Sequence, residues 1–172
     1  MEDVLISVDA FHLLSRLFTY PEQLPAHANL VGIATVPWQR EADTAALEAL
    51  QAEYVRLFIN ALPELPCPPY GSFYIEGTLM GESTVKLRNL HLSYGLQTDE
   101  VADHIAVELE FLALLGAVSR ETPGVLEDYE FVLNHLRLWT PLFFDRVEEN
   151  DEIGFYRELS KYARKVLSAD NT

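Results

Sequence analysis

Four ionisable side chains interrupt the apolar run VADHIAVELEFLALL at residues 101–115: Asp103, His104, Glu108 and Glu110. An imidazole among carboxylates permits proton transfer, metal ligation or capture of a cation. At about 100° per residue, Val101, Ile105, Glu108, Leu112 and Leu115 share one side of a helix, and Asp103 and Glu110 share another with Leu114. His104 lies one turn before Glu108. Apolar residues fill the remaining directions, and such a helix normally runs through the middle of a domain. Burying a lone carboxylate is costly, so each acid must be paired, protonated or exposed in a groove that cuts into the fold.

Two readings follow. In the first, His104 and Glu108 form an i,i+4 pair and the acids accept hydrogen bonds from neighbouring helices. In the second, a groove with an acidic floor captures a cationic ligand while its apolar walls take an apolar segment beside it. Metal ligation is the weaker reading, because HxxxE stands without the second cluster, such as ExxH, that a zinc or di-iron site supplies. A helical metal-dependent hydrolase using His104, Glu108 and either His91 or His135 is its concrete form. General acid and base chemistry lacks a nucleophile motif, a Gly-rich phosphate loop and GxSxG. The residues therefore nominate no catalytic group, cofactor or metal.

The elements that must position these groups read as helices. In VDAFHLLSRLF, Val8, Phe11, Leu14 and Phe18 recur at three- and four-residue steps until Pro21 stops the run. Residues 21–40 read as a connector, with room for one short helix. EADTAALEALQAEYVRLFIN carries a stripe of Leu47, Leu50, Tyr54, Leu57 and Phe58, which predicts a long helix. In ALPELPCPPYGSFYIEG, four prolines forbid a continuous helix and predict a loop. Helical spacing resumes through Val85, Leu87, Leu90 and Tyr94, with Gly95 as its stop. Thr122–Pro123 and Thr140–Pro141 each resemble a helix start, and a final helix covers roughly residues 153–167. No strand-like alternation or repeat period is evident, so the expected fold is all-α: one domain over residues 1–172, a bundle of six to seven helices.

Composition limits the partners. Asp and Glu number 27 against 12 Lys and Arg, a formal charge of −15 in 172 residues. Such a field repels nucleic acid and anionic lipid and attracts cationic partners. The one cysteine, Cys67, admits no internal disulfide. The N-terminus opens with two acids and does not read as an export signal, and no apolar run approaches the ~18 residues of a membrane span. A cytoplasmic protein without stable membrane insertion is expected.

Four blocks, in order, carry a family likeness: EYVRLF at 53–58, PPYGSFY at 68–74, ADHIAVELEFLALL at 102–115 and HLRLWTPLF at 135–143, with GFYRELSKYARKVL resembling a closing helix. Together they resemble the TorD/DmsD family of cytoplasmic chaperones for molybdenum-cofactor enzymes, which also includes the nitrate reductase (NarJ) assembly proteins. The resemblance implies an all-helical domain that binds the N-terminal leader of a molybdoenzyme catalytic-subunit precursor, usually a twin-arginine motif followed by an apolar stretch, and delays export until cofactor insertion is complete. An assembly factor for a client that stays in the cytoplasm is the second form of this reading.

The resemblance also assigns residues. Asp103 and His104 match the family's Asp-His pair implicated in leader recognition, with Glu108 and Glu110 in the same motif. Tyr70, Ser72 and Tyr74 match the Pro-rich loop; their rings either stack on an arginine and line the groove, or anchor the loop on the core. His135 and Trp139, one turn apart, either pack against the acidic helix or reach ligand. Gly71 stands where the family often has an acid, Val101 replaces a Glu-Pro, and His91 occupies a common tyrosine position. If Asp103 and His104 line a groove, replacing either by alanine is expected to weaken leader binding with little loss of stability. A monomer and a domain-exchanged dimer both fit.

Overall fold

A computed structural model describes residues 2–26, 44–119 and 121–169, with side chains from Val8 onward. Seven α-helices are present among them: α1 (Glu2–Leu17), α2 (Thr44–Tyr54), α3 (Gly71–Glu76), α4 (Glu82–Ser93), α5 (Ile105–Val118), α6 (Val125–Asn150) and α7 (Phe155–Ala169). No strand occurs among the described residues, which agrees with the all-α expectation; the predicted connector lies mostly outside them, since residues 27–43 are not described.

The apolar all-round sequence of α5 places it centrally. Ile105, Leu109, Leu112 and Leu115 are all fully buried. The helix packs chiefly against α1 on one side and α6 on another, and α7 packs against α6. Ser15 on α1 donates to the Ala106 carbonyl at 2.7 Å, tying α1 to the first turn of α5. One buried cluster joins Phe11 and Leu14 of α1, Leu50 and Tyr54 of α2, Leu87 of α4, Trp139 and Phe143 of α6, and Tyr156 and Leu159 of α7. Among the described residues no helix is long and apolar enough to cross a membrane.

Several boundaries differ from the sequence expectation. The long second helix widens into a π-helical turn over Val55–Ile59, where the Asn60 N–H donates to the Val55 carbonyl and the Cys67 N–H to the Leu57 carbonyl. The Pro-rich segment contains a short helix, α3, because its prolines end at Pro69 and the next residues are free to turn. The later helix starts at Val125, after Gly124 in a left-handed conformation, rather than at Thr122–Pro123. Thr140–Pro141 does not start a new helix. Pro141 is exposed within α6, while Trp139, Thr140, Phe143, Phe144 and Val147 continue one buried face across it. That shared burial outweighs the ~3 kcal/mol cost of an internal proline. On α4, the buried residues are Thr84, Leu87 and His91, whereas Val85 is exposed.

Candidate functional site

The site is built where α3, the segment after α4 and the start of α5 meet α6. Gly95, at φ +71°, ends α4: its N–H donates to the Leu92 carbonyl and that of Leu96 to the His91 carbonyl, the paired bonds of a left-handed helix stop. The chain then runs as a strap through Leu96–Ala102 to His104, which caps α5. Two backbone bonds clamp the strap's end to the Pro-rich loop: Gly71 N–H to the Asp103 carbonyl and Ile105 N–H to the Pro69 carbonyl, both 2.9 Å. The short β-bridge between Tyr70 and His104 is the result.

Asp103 is fully buried and its Oδ2 accepts the Ser72 N–H at 2.7 Å, so its carboxylate caps α3 from another part of the chain. His104 is also buried; its Nδ1 accepts the Ala106 N–H at 3.1 Å, and its ring meets the edge of Tyr70 at 5.3 Å. Burial lowers the His104 pKa, against the raising influence of Glu100 and Asp103. The ring is therefore neutral with its proton on Nε2, as the accepting role of Nδ1 requires.

Glu108 is also fully buried. Its Oε2 is 2.8 Å from His135 Nδ1, and its Oε1 accepts the Trp139 indole N–H at 3.3 Å. Complete burial pushes its pKa up to about 7, with both hydrogen bonds acting the other way. For His135, burial favours the neutral ring, but the hydrogen bond and charge of Glu108 outweigh it and raise the pKa. A β-carbon at Gly71 would lie 2.8 Å from His135 Cε1 and 2.9 Å from Trp139 Nε1. This close approach explains why glycine follows Tyr70 here: α3 begins directly on the His135–Trp139 pair, with no room for a side chain.

This geometry corrects the expectation of one open groove floored by four ionisable groups. Asp103, His104 and Glu108 are inside the protein, and Glu110 alone of the four is exposed. The predicted i,i+4 pair does not form, because residues 101–104 precede the helix and Glu108 uses α6 instead. Ser72 is fully buried, and Tyr74 is half-buried with its ring stacked on Trp139 at 5.6 Å. Trp139 packs against the acidic helix, as one of its two readings had it. The protein's own Arg146 stands over the rings of Phe73 and Tyr74, at 5.4 and 5.8 Å. Tyr70 is half-buried, with its hydroxyl 3.5 Å from Glu100. Among the described residues no three His, Cys, Asp or Glu side chains are grouped to hold a metal ion, so His104, Glu108 and His91 or His135 do not converge as a ligand set.

Open space lies on both sides of the strap. Between it and α4 is a groove of about 450 Å³ whose lining includes Met80, Val85, Arg88, Leu92, Asp99 and Glu100. Between the strap, α1 and α5 is a second of about 520 Å³ whose lining includes Asp9, His12, Val107, Glu110, Phe111 and Leu114. Met80, Val85 and Leu92 are exposed apolar side chains. Sequence reading missed Asp9, His12, Asp99 and Glu100; the pair Asp99–Glu100, just before the motif, was the available signal. It also left EYVRLF without a role. Buried Glu53 receives Arg56 through two hydrogen bonds of 2.6 and 2.7 Å, and Arg56 reaches the Asn150 carbonyl, pinning the π-turn to the end of α6.

Comparison with known proteins adds to this geometry. A family model described as the nitrate reductase delta subunit matches residues 22–145. The Tat proofreading chaperone DmsD of Salmonella typhi is 30% identical, over 91% of this chain and 84% of that protein. The chaperone protein TorD of Vibrio parahaemolyticus is 30% identical over 71% of this chain and 62% of its own length, and that of Vibrio cholerae 27% over 76% and 64%. The chain thus spans less than two thirds of the TorD relatives. A crystal structure assigned to redox enzyme maturation, from Archaeoglobus fulgidus, is 32% identical with a TM-score of 0.59, covering 91% of this chain and 93% of that one.

Proposed function

This chain belongs to the nitrate reductase delta subunit family, and from that membership we propose that it is a cytoplasmic maturation chaperone, not an enzyme, which binds the N-terminal leader of a molybdoenzyme catalytic-subunit precursor. Binding shields the leader until the cofactor has been inserted and, for exported clients, proofreads the precursor before release. The observation that carries this reading is the groove between the strap and α4. There Asp99 and Glu100 stand beside exposed Met80, Val85 and Leu92, directly before the Asp103–His104 clamp. Carboxylates beside apolar surface fit a leader in which arginines precede an apolar stretch, and the −15 charge steers such a segment inward.

In this reading the motif residues divide their work. Glu110, exposed in the groove between α1 and α5, and the half-buried Tyr70, whose hydroxyl lies by Glu100 of the strap, are available to the leader. Asp103, His104, Glu108, Ser72, Tyr74 and Trp139 hold α3, the strap and α6 in register, so they shape the groove from behind. A nitrate-reductase-type assembly factor, whose client remains in the cytoplasm, is the second form of this reading.

Calorimetric titration with the leader peptides of molybdoenzymes encoded by the same genome tests the proposal. Saturable binding that weakens as salt screens the carboxylates supports it. No binding of any such leader contradicts it, and binding confined to the leader of a non-exported subunit selects the second form.

A further inference from the structure

The groove between α1 and α5 is distinct from the one against α4, yet the two share His91, Leu96, Gln97 and Thr98 of α4 and the strap. Its floor is apolar, built on buried Phe111 and Ala113 with half-buried Val107 and Leu96. Its ionisable lining is Asp9, His12, His91 and Glu110, and it holds no lysine or arginine, whereas the α4 groove includes Arg88. Among the described residues neither Asp9 nor Glu110 takes part in an ion pair, although ion pairs occupy Glu53, Glu82, Glu108, Asp145, Glu148, Glu152 and Glu158 elsewhere. His91 is stacked on Phe111 at 3.9 Å and bonded through Nδ1 to the Leu87 carbonyl, so it closes the floor between the two grooves.

We propose that this α1–α5 groove is a second docking element for the same bound leader, taking the far end of its apolar stretch on Phe111, Val107 and Leu96 and an arginine or lysine beyond it on Asp9 and Glu110. The inference rests on the leader-binding reading above and extends it across the strap. A segment leaving the α4 groove passes Leu96–Thr98 and enters the second without crossing another element, because those residues line both. Charge complementarity selects the occupant: two exposed carboxylates around an apolar floor favour a cationic, apolar segment over an acidic one.

The test combines a variant with position-specific cross-linking in the full chain. A benzophenone side chain is introduced at Leu114, exposed in the second groove, or at Val85, exposed in the first. Each protein is irradiated with the leader peptide that binds in calorimetry and with the same peptide truncated within its apolar stretch, so that its far end is missing. The full leader is expected to cross-link at both positions and the shortened one at Val85 only. Asp9→Asn with Glu110→Gln is expected to lower affinity about five-fold at low salt, the scale of two exposed ion pairs, with the difference closing at high salt. Cross-linking at Val85 alone, with affinity unchanged in the double variant, overturns the inference and leaves the proposed function standing. Cross-linking of the shortened peptide at Leu114 also overturns it. Failure of every leader to bind the unmodified protein overturns both.

Discussion

Replacing Glu108 by glutamine isolates the buried proton-sharing pair. Both contacts survive the change, since an amide oxygen accepts the Trp139 N–H and an amide N–H donates to neutral His135 Nδ1. What is lost is the Glu108 titration and, with it, the charge that raises the His135 pKa. In the native chain burial raises the Glu108 pKa from 4.5 to about 7, so the folded state holds this proton more tightly than the unfolded chain does. Its contribution is fully present below pH 4.5 and is lost as pH rises to about 7. His135, also raised by its partner, acts with the same sign: its contribution is present below its ordinary range and disappears as pH passes the raised value. At about 1.4 kcal/mol per tenfold shift, the Glu108 change alone corresponds to about 3 kcal/mol. Urea unfolding of both proteins from pH 5 to 8 measures it. The native chain is expected to lose at least about 2–3 kcal/mol relative to Glu108→Gln across this range, with the release of His135 adding to the Glu108 part in the same direction. The subtraction removes the common effect of the other acids. Parallel stability curves would refute the reasoning and mean that Glu108 titrates normally, in contact with water.

Gly71→Ala forces a methyl group into the 2.8–2.9 Å approach of His135 and Trp139 and is expected to destabilise by about 1–3 kcal/mol, read as a lowered urea midpoint. Asp103→Ala leaves the buried Ser72 N–H without its acceptor; a loss of about 1–3 kcal/mol is expected in the same assay, and an unchanged midpoint would restore the groove-lining expectation for this residue. Cys67 is fully buried and burial pushes its thiol up to about 12, so alkylation by iodoacetamide is expected only on unfolding; rapid labelling of the folded chain would contradict its placement.

Patterns fixed by local chemistry were legible in the sequence. The stripes Val8–Phe11–Leu14–Phe18 and Leu50–Tyr54–Leu57–Phe58, together with the glycine stop at Gly95, define helices that the structure contains. The apolar all-round α5 announced its central position in the same way. Tertiary effects were not legible. Nothing local reveals that Asp103 caps a helix starting at Gly71, or that Glu108 answers to His135 and Trp139 on α6, because these partners lie 27 to 31 residues away. Pro141 misled for the same reason: burial on both sides of it overrode a local breaking signal. The four ionisable residues of the 101–115 run stand out as anomalous from the sequence alone. Three of the four resolve the anomaly through internal partners, while the open acid-lined surface belongs to Glu110, to Asp99 and Glu100 just before the run, and to Asp9, whose place on α1 carries no local signal.

In the proposed function a leader peptide lies along the strap between α4 and α5 while the buried motif holds that strap in place. Hydrogen–deuterium exchange of the full chain, with and without a saturating leader peptide, tests this most directly. Slowed exchange concentrated in residues 96–102, with the buried α5–α6 interface unchanged, is the predicted result. Protection spread evenly over the chain, or confined to α6 and α7, would contradict it.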